Sequence, residues 1–305
     1  MKRSVLVSGV LSVALLATAA CGGGGSSTDG KTEITASFYP VAWLAERVGG
    51  EDAEVTTLTK PGTEPHDLEL SPRQVAEITE TDLGLYVKGL QPAVDQAFAQ
   101  HAEGRSLDVA SLVKTLPADG HEHEEGEGEA HEGEHDPHIW LDPARMATVA
   151  TGIGEKLAAV DPDNAGDYRA RAAKTAGELN ALDGEFKAGL AECEQDTIVT
   201  SHGAFAYLAD RYGLKQVSIA GIDPSSEPSP ARMAELSDQI KALGVTTVFT
   251  ETLVSPKLAQ ALAEGAGVKT AVLDPVEGIK KGSGDDYPSV QRRNLEALRT
   301  ALVCS

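Results

Sequence analysis

The hydrophobic pattern of this 305-residue chain alternates between two kinds of segment. Short runs rich in valine, isoleucine, leucine and threonine are typical of buried strands, and they lie at 54–59, 83–88, 197–200, 216–220, 246–250 and 269–273. Between these runs, helix starts are marked by a capping residue followed by proline, as in Ser71-Pro72 and Asp142-Pro143. Strands that alternate with helices predict an α/β fold with parallel sheets.

The alternation is interrupted once, after Pro143. No strand pattern follows until about residue 192, and Leu179, Leu182 and Phe186 recur at helical spacing. We therefore predict two α/β lobes, at 31–160 and 193–305, joined by a long rigid connecting helix at 161–192.

The first thirty residues are typical of an export signal rather than of a folded domain. Lys2 and Arg3 precede an apolar run at 5–20, which is too short for a comfortable membrane span. Small residues then lead to Cys21 and a run of glycine and serine. These features predict a lipoprotein signal peptide at 1–20, lipidation of Cys21 and a flexible tether at 21–30, so that the protein is anchored outside a bacterial cell membrane. Plain cleavage and release is the alternative.

Two cysteines remain after the signal, Cys193 and Cys304. An even pair in an exported protein indicates a disulfide. The chain has a net charge of −21, which argues against a nucleic-acid surface and is compatible with cation binding.

A tract rich in histidine and acid lies at 119–137, within the predicted first lobe. Five of the eight histidines fall between residues 121 and 138, and imidazole and carboxylate are zinc ligands. Because the tract lacks apolar residues, we predict a solvated loop that binds extra metal through His121, His123, His131 and His135. The segment 131–135 also matches H-E-x-x-H, but glycines and the missing apolar face argue against the helix that a zinc protease needs.

Four other candidate ligands follow strands or precede a capped helix. His66 and His202 each follow a predicted strand, His138 precedes the helix capped by Asp142, and Asp274 follows the strand at 269–273. Ligands of α/β proteins bind at the carboxyl ends of strands, and three imidazoles with one carboxylate form a reasonable zinc set. These residues predict a metal site in the cleft between the lobes.

The motifs around these residues resemble a known family. P-G-T-E-P-H-D-L-E-L-S-P, H-I-W-L-D-P, T-S-H-G-A-F-A-Y-L-A and V-L-D-P are similar to motifs of the metal-binding solute-binding proteins of ABC transporters, cluster A-I, zinc branch. The resemblance implies that His66, His138 and His202 bind the metal and that Asp274 matches the fourth carboxylate. It also implies a monomer that delivers zinc to a membrane permease and its ATPase.

Several alternatives stay open at this point. Glu64 is a second candidate for the fourth ligand, whereas Glu251 is better explained as a helix start or as support for a ligand. Histidine at position 202 favours zinc, because manganese members of the group tend to carry glutamate there. A manganese- or iron-type receptor and a metal-dependent adhesin remain alternative functions, and a zinc hydrolase is a weaker one. We expect a binding protein and not an enzyme.

Overall fold

The computed structural model describes residues 30–118 and 135–305. The first sheet has four parallel strands, in the order β2-β1-β3-β4. They are β1 (Thr32–Ala36), β2 (Ala53–Thr57), β3 (Leu83–Tyr86) and β4 (Ser106–Asp108). The helices of this half are α1 (Tyr39–Gly49), α2 (Pro72–Glu80) and α3 (Pro92–His101).

The second sheet repeats the same arrangement, again with four parallel strands, in the order β6-β5-β7-β8. Its strands are β5 (Thr197–Thr200), β6 (Lys215–Ser218), β7 (Thr247–Thr250) and β8 (Lys269–Val272). Its helices are α6 (Ala206–Tyr212), α7 (Pro230–Leu243), α8 (Lys257–Ala266) and α9 (Tyr287–Leu302). The predicted α/β class with two parallel sheets is confirmed.

Two helices lie between the sheets in sequence, α4 (Pro143–Val160) and α5 (Ala165–Gly189). Twenty-five residues make α5 about 37 Å long at 1.5 Å per residue. Near its start, the Tyr168 hydroxyl hydrogen-bonds Thr32 of the first sheet at 3.2 Å. Near its end, Asp183 accepts two hydrogen bonds of 2.9 Å from Arg211 of α6. The long helix therefore contacts both halves, as a connecting helix should.

The helix starts follow from local sequence. Ser71 caps α2 as predicted, and it forms a capping box with Gln74. Asp142 caps α4 by accepting from the backbone N–H groups of Ala144 and Arg145. The cap at Asp142 matters for the site, because it fixes the chain four residues after His138.

The main hydrophobic core is continuous across both halves. It contains Ile34 and Leu85 from the first sheet, Ile198 and Phe249 from the second, and Phe186 from α5. A disulfide between Cys193 and Cys304 ties the segment after α5 to the end of α9. Within the described ranges, no helix is both long and apolar enough to cross a membrane.

Candidate metal centre

Four buried side chains converge between the two sheets. His66 lies in the segment between β2 and α2, and His138 directly precedes a short 3-10 turn that leads into α4. His202 follows β5, and Glu277 lies in the segment between β8 and α9. Each half of the molecule thus supplies two of the four side chains, from segments that connect a strand to the following helix.

The four side chains form a set that fits a single metal ion. One ligand atom from each of His66, His138, His202 and Glu277 lies within 4.8 Å of the other three. The Glu277 Oε1 atom lies 3.4 Å from His66 Nε2, 3.6 Å from His138 Nε2 and 3.3 Å from His202 Nε2. Tetrahedral zinc with bonds of about 2.0–2.1 Å requires ligand atoms about 3.3 Å apart. The spacing between the carboxylate and the three imidazoles therefore suits zinc with little rearrangement.

The ligand atoms that face the centre lack hydrogen-bond partners in the part of the chain that the structure describes. The three Nε2 atoms and both Glu277 carboxylate oxygens are buried, and none has a hydrogen bond of proper geometry within the described residues. Buried polar atoms are normally paired, because an unpaired one costs about 1–3 kcal/mol. Such a cluster of orphaned nitrogen and oxygen atoms points to a bound cation.

Two of the histidines are oriented by carboxylates on their other ring nitrogen. Asp136 Oδ1 lies 2.8 Å from His138 Nδ1, and both Glu251 oxygens lie 2.8 Å from His202 Nδ1. A proton on Nδ1, held by such a carboxylate, leaves the Nε2 lone pair available to a metal. Asp136 and Glu251 thus fix the ring orientations that a metal site needs. Glu251 occupies the supporting position that the sequence analysis considered for it.

Within the cluster, the neighbouring charges raise the pKa of two histidines and lower the pKa of Glu277. Burial opposes protonation of His202, but its contacts with Glu251 and Glu277 outweigh burial and raise its pKa to about 10. Burial likewise opposes protonation of His138, yet Asp136 raises the pKa of that ring above its ordinary value. Burial opposes ionisation of Glu277, but the three histidines hold its pKa well below the usual range. The buried carboxylates thus favour the protonated form of His202 and His138, and a cation at this point competes with those protons.

The structure brings a different carboxylate, Glu277, to the three predicted histidines. Asp274 does not join the three histidines, and both of its carboxylate oxygens accept hydrogen bonds elsewhere. Its Oδ1 accepts from the Val276 N–H at 2.8 Å and its Oδ2 accepts from the Thr252 hydroxyl at 3.0 Å. Asp274 instead holds the turn that directs Glu277 into the centre. The structure places Glu277 in the position that sequence reasoning gave to Asp274.

Sequence reasoning missed Glu277 although it lies only three residues after Asp274. The turn between them depends on Val276, which is fully buried and has a positive φ of 58°. β-branched residues rarely adopt this conformation, so a positive φ at Val276 could not be expected from local sequence. The one available signal was an acidic residue immediately before Gly278, a few residues after β8.

The alternative fourth ligand, Glu64, also lies outside the cluster. Its Oε1 accepts from the His66 backbone N–H at 2.9 Å and lies 4.0 Å from His66 Nε2. Glu64 therefore steadies the segment that carries His66, while Glu277 is nearer to all three imidazoles.

The remaining predicted residues lie away from this centre or outside the described ranges. His121, His123, His131 and Cys21 fall outside the described residues. His135 is described: it pairs with Pro117 in an isolated antiparallel bridge and does not belong to the four-residue cluster.

Comparison with known proteins agrees with the motifs and the fold. The sequence matches the family described as zinc-uptake complex component A, periplasmic, over residues 34–301. The chain belongs to this family. Family membership confirms the resemblance that the motifs around His66, His138 and His202 predicted.

Two relatives within the family define how much of the chain is shared. The chain is 36% identical to the zinc-binding protein AdcA of Streptococcus pyogenes serotype M18 over 288 residues, which cover 89% of this chain and 56% of that protein. It is 32% identical to the high-affinity zinc uptake system protein ZnuA of Bacillus subtilis, over 96% of both chains. The chain thus spans about half the length of the streptococcal relatives and nearly all of the Bacillus one.

A solved structure in the family has the same fold. The crystal structure of Zn(II)-bound AdcA from Streptococcus pneumoniae aligns with a TM-score of 0.76 and 34% sequence identity, over 90% of this chain and 58% of that chain. The names of these three proteins describe zinc binding or zinc uptake and not enzymes.

Proposed function

We propose that this protein is an extracytoplasmic receptor that captures zinc and delivers it to an ABC importer. The observation that carries the proposal is the convergence of His66, His138, His202 and Glu277 around one buried point. Family membership and the names of the relatives support zinc as the ion. Three imidazoles also favour zinc over manganese, which prefers oxygen ligands.

The composition of the site favours binding rather than catalysis. Catalytic zinc sites usually have three protein ligands and leave the fourth position open to water or substrate. Here the fourth position is filled by Glu277, whose side chain is fully buried. A metal-bound water able to attack a substrate therefore has no place, which argues against the zinc hydrolase alternative.

Delivery requires partners outside this chain. We infer that the receptor is a monomer that transfers zinc to a membrane permease driven by its ATPase, the arrangement implied by membership of a zinc-uptake complex family. A lipid on Cys21 and the glycine-rich segment after it would keep the captured ion near the permease by raising its local concentration. A related streptococcal protein is named a zinc-binding lipoprotein, which supports the anchor.

The accessory tract has a separate proposed role. His121, His123, His131 and His135 bind further zinc ions weakly and supply them to the buried site. The acidic residues between them raise the local cation concentration. Deleting residues 119–134 and putting a short glycine-serine linker in their place keeps the residues of the Pro117–His135 bridge and the contact between Asp136 and His138, so the deletion separates the tract from the buried site.

Calorimetric titration with zinc and with manganese tests this function. We expect the wild-type protein to bind one zinc ion tightly and several weakly, and to bind manganese less tightly. His202→Ala should weaken the tight site, whereas the deletion of 119–134 should lower the stoichiometry and keep the tight site. The matched control is His101→Ala, since His101 is exposed at the end of α3. Loss of tight binding in the deletion variant would place the primary site in the tract and contradict the proposal.

A further inference from the structure

The two chain segments on either side of 119–134 are joined to each other. We call residues 116–117 and 135–136 the stem. Pro117 and His135 form an antiparallel bridge, and the Asp136 N–H donates to the Leu116 carbonyl at 3.0 Å. The stem thus belongs to the ordered first half of the molecule and leads directly to His138.

A side chain from the second half holds both strands of the stem. The Tyr207 hydroxyl donates to the Asp136 carbonyl at 2.6 Å and accepts from the Leu116 N–H at 3.0 Å. Tyr207 lies on α6, five residues after His202, and is fully buried. One hydroxyl group therefore satisfies a buried acceptor and a partly buried donor that belong to opposite sides of the stem.

The stem in turn orients a metal-binding imidazole. Asp136 Oδ1 accepts from both the backbone N–H and the Nδ1 of His138, each at 2.8 Å. The bonds form a continuous chain from the Tyr207 hydroxyl through Asp136 to the His138 ring. A carboxylate on the second nitrogen of a metal-binding histidine is worth 10- to 100-fold in metal affinity, so a group that positions this carboxylate affects the site through it.

The ring of Tyr207 is fixed independently of its hydroxyl. The Arg145 guanidinium lies over the ring, 4.8 Å from its centre. Arg145 also pairs with Asp142 and donates to the Lys114 carbonyl at 3.1 Å. Removing the hydroxyl alone should therefore leave the ring in place and remove the two hydrogen bonds that hold the stem to α6.

We propose that Tyr207 is a positioning residue for zinc binding. It places Asp136 and so sets the orientation of His138. Because α6 begins just after His202, the same helix keeps His138 of one half aligned with His202 of the other. The inference rests on the proposed zinc-binding function and deepens it: the affinity of the site depends on a contact between the two halves that touches no metal ligand directly.

Tyr207→Phe in the full chain tests the proposal, with Tyr212→Phe as the matched control. Tyr212 lies on the same helix, stacks on Phe186 and donates its hydroxyl to Asp183 at 3.2 Å, so both variants lose one hydroxyl from α6. We expect Tyr207→Phe to weaken zinc binding about 10-fold, at the lower end of the range for groups that support a ligand. We also expect it to alter the visible absorption of the cobalt-substituted protein, which reports the ligand geometry. Tyr212→Phe should change neither property.

A double-mutant cycle with Asp136→Asn tests whether Tyr207 affects zinc binding through Asp136. If Tyr207 acts through Asp136, adding Tyr207→Phe to Asp136→Asn should weaken zinc binding by much less than 10-fold. Equal losses in Tyr207→Phe and Tyr212→Phe, an unchanged cobalt spectrum, or a Tyr207→Phe protein that no longer folds would each overturn the positioning role. The proposed function fails on a different result. Either the wild-type protein has no tight zinc site, or it has one that His202→Ala does not weaken.

Discussion

Protons and metal compete for the same atoms in this centre. His202 lies between two carboxylates, Glu251 on its Nδ1 and Glu277 3.3 Å from its Nε2. The two carboxylates outweigh the effect of burial and raise the pKa of His202 to about 10. A protonated imidazole cannot bind zinc, so the ion must displace a proton from His202 even above neutral pH.

This competition predicts a pH dependence that extends above the ordinary histidine range. A histidine with an unperturbed pKa of about 6.5 would make zinc affinity level off above that pH. With a raised pKa, the proton competes up to about pH 10, so affinity should keep rising by up to about tenfold per pH unit between pH 7 and 9. Calorimetry at pH 7.5 in two buffers of different ionisation enthalpy should show the release of about one proton per zinc.

The control for this measurement is Glu251→Gln, which removes one of the two carboxylates. Because its loss lowers the pKa of His202, fewer protons should leave when zinc binds at pH 7.5. A heat of binding that is the same in both buffers for the wild-type protein would contradict the prediction.

At the scale of secondary-structure elements, the site is built from four segments that connect strands to helices, each of which supplies one side chain. The segment after β8 shows how: Asp274 accepts from the Val276 N–H, and the Trp140 indole donates to the Pro275 carbonyl at 2.7 Å. The turn at 274–276 is therefore fixed from both halves, and it directs Glu277 inward. A carboxylate can be essential to such a site by shaping the backbone and not only by touching the metal.

Two substitutions in this turn separate these roles. Glu277→Gln removes the buried negative charge from the metal set, so zinc affinity should fall by more than the 10- to 100-fold typical of supporting residues. Asp274→Asn keeps the side-chain oxygen that accepts from Val276, so the turn should persist and affinity should change much less. Zinc titration in competition with a chelator of known affinity measures both. A larger loss in Asp274→Asn would reinstate Asp274 as the ligand.

The strands that were not predicted show where sequence patterns fail at this scale. β1, with the sequence T-E-I-T-A, is the central strand of the first sheet, paired with β2 and β3. Its buried threonines are satisfied by distant partners, since the Thr35 N–H donates to the Thr81 hydroxyl and Thr32 contacts Tyr168. β4 has three residues, too few for a hydrophobic period to appear. Six other strands matched their predicted positions to within about two residues because their apolar runs are longer.

At the scale of the whole molecule, the two halves share one core. The main hydrophobic cluster includes residues of both sheets and of α5. Hydrogen bonds from Trp140 to Pro275, from Tyr207 to Asp136 and from Tyr287 to Trp140 cross between the halves. Wide separation of the halves would expose this apolar surface and leave buried polar groups unpaired, both of which are costly.

We therefore expect zinc binding to cause only small changes in overall shape. Small-angle scattering of the metal-free and zinc-bound protein should give nearly equal radii of gyration. A clear compaction on adding zinc would show that the halves separate in the metal-free state and would contradict the shared core.

The disulfide acts on the same scale. Cys193 and Cys304 are 111 residues apart in sequence, so the bond closes a loop that contains nearly the whole second half. On the chain-entropy account, a loop of this length stabilises the folded state by about 5 kcal/mol. Replacing both cysteines by serine should lower the free energy of unfolding by about this amount in denaturant titrations, while tight zinc binding persists because the bond lies outside the metal cluster. A stability unchanged by the double replacement would indicate that the C-terminus is held by packing alone.

The sequence by itself determined the α/β class, most strands, the cysteine pair and the three histidines, because each depends on local patterns or on scarce residue types. The strand-end rule then placed His66 and His202 at the same edge of their sheets. Only the tertiary structure brought Glu277, rather than Asp274 or Glu64, to the three histidines. That choice depends on a turn with a buried valine at positive φ and on contacts from Trp140, which lies 135 residues away in sequence. Local patterns do not encode such contacts, since they exist only once both halves have packed around a common core.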